Sequence, residues 1–116
     1  MNVKNAVTAL AALAQETRLQ VFRLLVQAGQ EGLPVGRIAE LLGTEANGRL
    51  SFHLKELVNA GLASSRQSGR FVYYSANYPT MNGLLAYLTE QCCGGQPCGE
   101  PVPMCNPDES TPTTIL

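Results

Sequence analysis

Four consecutive segments carry apolar residues at helical spacing, and a glycine or a short polar break cuts each one off. That punctuation limits the chain to short helices packed in sequence. Val3, Val7, Leu10 and Leu13 mark a first helix over about residues 3–14. A second starts at Glu16 or Thr17, carries Leu19, Phe22, Leu24, Leu25 and Val26, and stops at Ala28-Gly29. After a loop over Gln30–Leu33, Pro34 suits the first turn of a third helix with the stripe Val35, Ile38, Leu41 and Leu42. Gly43 closes it, and Thr44 or Asn47 caps a fourth helix that turns Leu50, Leu54, Leu57 and Val58 inward and ends at Asn59-Ala60-Gly61. The period then changes. Leu62–Gln67 and Arg70–Ala76 read as strands joined by Ser68-Gly69, a hairpin, and a fifth helix follows over about Pro79–Cys93. This order predicts a mainly α protein with a small β-hairpin, a winged helix-turn-helix.

The 116 residues, 45% of them hydrophobic, suffice for one domain with a modest core, which a two-fold dimer would enlarge. Residues 1–93 are expected to form the DNA-binding and dimerisation domain, and 94–116 a flexible Pro/Gly/Ser/Thr-rich tail that contributes a ligand. No apolar stretch approaches the roughly 18–20 residues of a membrane span. Lys4 before Ala6–Ala14 faintly mimics a signal peptide but leads directly into the next helix, so a folded helix of a cytoplasmic protein is expected. A net charge of −1 means that any nucleic-acid surface is local.

The fourth helix supplies such a surface. Its inward stripe leaves Gly48, Phe52, Lys55, Glu56 and Asn59 outward, with Arg49, Ser51 and His53 on the flanks. Asn47, Arg49 and Ser51 are side chains that read base edges, and Phe52 can meet a thymine methyl. Lys55, with Arg66 and Arg70 around the hairpin, can neutralise phosphates. His53 fits a DNA contact or a structural bond between helices equally well.

Three of four cysteines fall in Cys92-Cys93-Gly94-Gly95-Gln96-Pro97-Cys98, where the fifth helix should stop. Adjacent helical residues point about 100° apart, so the pair cannot aim at one ion from a regular helix. The glycines and Pro97 let the chain bend Cys98 back toward the pair. Three converging thiolates suit a thiophilic ion and not magnesium or calcium. Cys105, beyond Pro101 and Pro103, could complete a four-thiolate site. A reducing cytosol keeps these thiols free, and a Cys92–Cys93 disulfide would close a strained eight-membered ring. An enzyme is not expected: these cysteines follow a helix C-terminus, where the dipole disfavours a thiolate nucleophile.

The run Leu50-Ser51-Phe52-His53-Leu54-Lys55-Glu56-Leu57-Val58-Asn59-Ala60-Gly61-Leu62, then Ser68-Gly69-Arg70-Phe71-Val72-Tyr73-Tyr74, resembles the signature of the ArsR/SmtB family of metal-responsive repressors. The likeness covers about residues 5–92 and includes Leu13-Ala14-Gln15-Glu16-Thr17-Arg18-Leu19. It implies a winged-helix homodimer, joined through its first and fifth helices, that binds operator DNA and releases it when an ion binds. Two of the family's ligand sets are missing: Leu33-Pro34-Val35-Gly36-Arg37-Ile38 holds no cysteine, and His53 is the only histidine. The cysteines at the end of the fifth helix resemble those of an arsenic-responsive subgroup. As(III) takes three thiolates in a pyramid, whereas zinc prefers four ligands, so Cys92, Cys93 and Cys98 suit arsenite, or antimonite by similar chemistry. The alternative is a redox-sensing repressor whose cysteines form a disulfide or polysulfide.

Overall fold

The computed structural model describes residues 1–95, so Cys98, Cys105 and nearly all of the expected tail lie outside the described residues. Among these residues five α-helices and three strands run in the order α1 (Val3–Leu13), α2 (Glu16–Ala28), β1 (Leu33–Pro34), α3 (Val35–Leu42), α4 (Gly48–Asn59), β2 (Ala63–Ser68), β3 (Phe71–Ala76), α5 (Tyr78–Leu88), followed by a short 3-10 turn (Cys92–Gly95). Side-chain oxygens fix four of the helix starts. Asn2, Gln15, Asn47 and Asn77 accept from the backbone N–H of Asn5, Arg18, Leu50 and Thr80, each three residues on.

The hairpin is shifted from its expected position. Ser68 pairs with Phe71, which leaves Gly69-Arg70 as the two-residue loop and Arg70 at the tip of the wing. Gly69 holds φ at 64° in the first central position, where hairpin turns favour glycine. A third strand extends the sheet to the order β1-β3-β2. Leu33 and Pro34, expected as loop and helix start, pair antiparallel with Tyr74 and Tyr73. Pro34 donates no N–H, which an edge strand tolerates.

Val21, Leu25, Ile38, Leu54, Leu57 and Leu62 are the largest fully buried side chains, drawn from α2, α3, α4 and the turn into β2. The Tyr78 hydroxyl donates to the Val26 carbonyl at 2.8 Å, tying the start of α5 to the end of α2. On α1 the buried residues are Ala6 and Ala9, while Val3, Val7 and Leu10 are exposed. Leu41, expected on the buried stripe of α3, is exposed as well, and so is Leu19 of α2.

Helix α5 ends at Leu88, short of the expected Cys93. Thr89 turns its hydroxyl back onto the Leu85 carbonyl at 2.8 Å. Gln91 and Cys93 take left-handed φ values of 58° and 55°, and Gly94 and Gly95 continue with positive φ. A side chain in that conformation does not extend a right-handed helix.

Candidate DNA-binding surface and thiol site

Helices α3 and α4 form the helix-turn-helix, and its turn is built by backbone geometry. Gly43 ends α3 in the left-handed conformation at φ 73°, and its N–H and that of Thr44 return to the carbonyls of Glu40 and Ala39. The chain then crosses Thr44–Ala46 to Asn47, whose side chain caps α4 at 3.1 Å. Asn47 was one of two candidate caps, and its role holds the helix start so that Gly48 and Arg49 form the first turn.

With Leu50, Leu54 and Leu57 buried, Arg49, Ser51, Phe52, Lys55 and Asn59 all face solvent. Phe52 is 54% exposed, a large apolar ring held in water on an otherwise polar face. Glu56 is only half-exposed. On the wing, Arg70 stands exposed at the tip beside exposed Phe71. Arg66 is also exposed, but its guanidinium donates to the Glu31 carbonyl at 2.9 Å and lies 4.9 Å over the Tyr73 ring. That anchorage holds it against the β1 side of the sheet.

His53 does not share this face. It is 8% exposed, and its Nδ1 lies 3.1 Å from a terminal guanidinium nitrogen of Arg18. A guanidinium only donates, so Nδ1 is the acceptor and the ring proton sits on Nε2. Burial first, then the charges of Arg18 and Arg49, hold the imidazole below its usual pKa, with Glu56 opposing them. Of the two roles open to His53 from sequence, the inter-helix bond is the one the geometry displays. Arg18 itself was missed as a functional candidate; its signal was only that a charged residue follows directly on a helix start.

The turn after α5 brings Cys92 and Cys93 together, with Sγ atoms 3.8 Å apart and both side chains exposed. Two thiolates on one ion, at bonds of about 2.3 Å and angles of 95–110°, stand roughly 3.4–3.8 Å apart. The left-handed Cys93 solves the problem that a regular helix would pose, since it swings the second sulfur toward the first. Among the described residues no cluster of three metal-ligating side chains occurs. The third sulfur expected, Cys98, lies outside them.

A solvent-facing second helix with an arginine at its start, beside a hairpin carrying arginine at its tip, defines a winged helix-turn-helix DNA-binding protein. A helix-turn-helix domain family matches residues 13–66, from the end of α1 into β2. The arsenical resistance operon repressor of Bacillus subtilis (strain 168) is 35% identical over 82 residues, spanning 71% of this chain and 73% of that protein. A crystal structure of a possible transcriptional regulator for arsenical resistance is 30% identical with a TM-score of 0.58, covering 69% of this chain and 79% of its own. The solution structure of a homodimeric winged helix-turn-helix domain from Mycobacterium bovis is 23% identical, with a TM-score of 0.60, and covers 84% of this chain and 90% of its own. The chain belongs to the ArsR/SmtB family of transcriptional regulators.

Proposed function

We propose that this protein is a homodimeric transcriptional repressor that releases operator DNA when As(III) or Sb(III) binds Cys92, Cys93 and Cys98. The observation that carries the reading is the exposed sulfur pair, 3.8 Å apart, directly after α5 in a chain related to an arsenical resistance repressor. Cys105 is a spare ligand for an ion that takes four. Asn47, Arg49, Ser51 and Phe52 read the major groove, while Lys55, Arg66 and Arg70 hold phosphates. Exposed Val3, Val7 and Leu10 on α1, with Leu85 and Leu88 on α5, give the apolar seam that joins the two copies.

The pair sits one turn past Leu88, so an ion that gathers Cys98 onto it pulls on the end of a seam helix. That shift changes the spacing of the two α4 helices, which must match successive major grooves. A coupling of about 1–3 kcal/mol weakens DNA binding some 5- to 150-fold, enough for a switch.

The test is DNA binding with and without arsenite. Arsenite is expected to release the wild-type protein, and Cys92→Ser or Cys98→Ser to remain bound at the same concentration. Variants that release like wild type would remove the site. The same sulfur spacing supports one rival, a thiol redox switch. It predicts release by peroxide, reversal by dithiothreitol, and no consumption of thiols by arsenite alone.

A further inference from the structure

Arg18 ties three helices together. Its backbone N–H closes the cap of α2 on Gln15 at 2.9 Å, its Nε donates to the Ala12 carbonyl of α1 at 2.7 Å, and its terminal nitrogen reaches His53 of α4 at 3.1 Å. One planar fork, rooted in the first turn of α2, thus touches the last turn of α1 and the middle of α4. Beside it an open groove of about 440 Å³ runs between α1 and α4, lined by Ala12, Arg18 and Glu56 among others. The guanidinium links the Ala12 carbonyl of α1 to His53 of α4 at one side of that groove.

From this geometry we infer that the Arg18–His53 pair is a positioning strut that sets the DNA-reading helix against α1, and that it carries a load only while His53 Nδ1 is an acceptor. The inference rests on the DNA-binding reading of α4. The bond cannot survive protonation: an imidazolium presents N–H at both nitrogens, and Nδ1–H would face a guanidinium donor of the same charge. The charged groups that act on the ring are Arg18 from α2 and Arg49 and Glu56 from α4, two cations against one half-exposed carboxylate. Acidification therefore breaks the strut rather than tightening it. Helix α4 is then held only by its apolar stripe, and its angle to α1, and so to the partner copy's α4, is no longer fixed. Sequence-specific affinity falls with pH, opposite to the usual gain of phosphate affinity when a histidine becomes charged.

Two measurements test this. The first uses a DNA duplex selected from a random-sequence pool at about pH 7.5, with affinity read at fixed salt between about pH 7.5 and 5.0, a range that reaches below the ordinary histidine value because the folded ring is held under it. The wild-type protein is expected to lose about tenfold over that range, within the usual size of coupling between sites. His53→Asn keeps an acceptor near the Nδ1 position and cannot titrate, so it is expected to retain binding with a flat profile. Arg18→Lys keeps the charge but not the fork, and is expected to bind the selected duplex more weakly at every pH while affinity for a scrambled duplex stays unchanged. Circular dichroism at each pH confirms that the folded chain is compared. A His53→Asn profile that parallels wild type, or an Arg18→Lys protein that matches wild type, overturns the strut.

The second is independent of DNA. His53 is the only histidine, so its ring nitrogens are read by NMR without ambiguity. Nε2–H at neutral pH is expected, with a titration midpoint that changes in Arg18→Lys. A ring protonated on Nδ1 at neutral pH overturns the proposal. Failure to select any duplex, with the expected NMR result, removes the DNA-binding reading and leaves the bond standing, so the two failures are distinct.

Discussion

Gly32 holds φ at 75° directly against the backbone of Tyr74, and a Cβ there would collide with the Tyr74 carbonyl. Both the conformation and the close approach require glycine. Gly32→Ala is expected to cost roughly 2 kcal/mol or more through strain and loss of the β1–β3 pairing, read as a lowered urea midpoint. His53 makes a second prediction at this scale. Its folded pKa lies below the ordinary 6.5, so the unfolded chain takes the proton more readily. Its contribution to stability is complete above pH 6.5 and is lost as pH falls through the folded value. The midpoint of unfolding should therefore drop below that pH, and His53→Asn should flatten the drop. The sequence left His53 open because a helical wheel assigns it to a boundary. What covers that boundary is Arg18, 35 residues away in the chain, and periodicity within α4 carries no information about it.

Among elements, α4 was the most legible, because three signals agree on it: a cap, a strong apolar stripe and a glycine stop. Asn47 supplies the only side-chain cap at its start. Asn47→Ala is expected to cost about 1 kcal/mol and to weaken specific DNA binding further than stability alone explains, since the first turn of α4 carries Arg49. Thermal melts and affinity for a selected duplex separate the two effects. Strand β1 was not legible. Two residues show no alternation, and what makes them a strand is the preformed edge of β3 beside them. The end of α5 was misread for a related reason. Thr89-Glu90-Gln91 does not forbid a helix, and no buried partner beyond Leu88 rewards continuing one. The consequence is favourable to the thiol site, because a helix through Cys93 would have kept the sulfurs apart.

At the scale of the whole molecule, the chain leaves much apolar surface open. Val3, Val7 and Leu10 follow one face of α1 while Leu85 and Leu88 project from α5, all more than 40% exposed. A separate apolar groove of about 300 Å³ continues from Leu85 past Leu84 and Met81 to Phe22 and Leu13. Monomers rarely expose contiguous surface of this kind, and a two-fold partner would cover it. Val7→Glu with Leu10→Glu is expected to shift the protein from dimer to monomer in sedimentation, with the helical spectrum of each chain retained. Specific DNA affinity should fall at the same time, because one winged helix spans one half-site only. A dimeric double variant would move the seam elsewhere.

The helices, the order that places a wing after a helix-turn-helix, the polar face of α4 and the sulfur cluster were all determined by local sequence, since propensity, capping and periodicity act over a few residues. The edge strand, the inward turn of His53, the grip of Arg66 on the Glu31 carbonyl and the water-facing stripe of α1 were decided only by tertiary structure. Each of these depends on which distant surface packs against a given side chain. An apolar stripe states that it needs covering; it does not state whether its own chain or a second copy will do so.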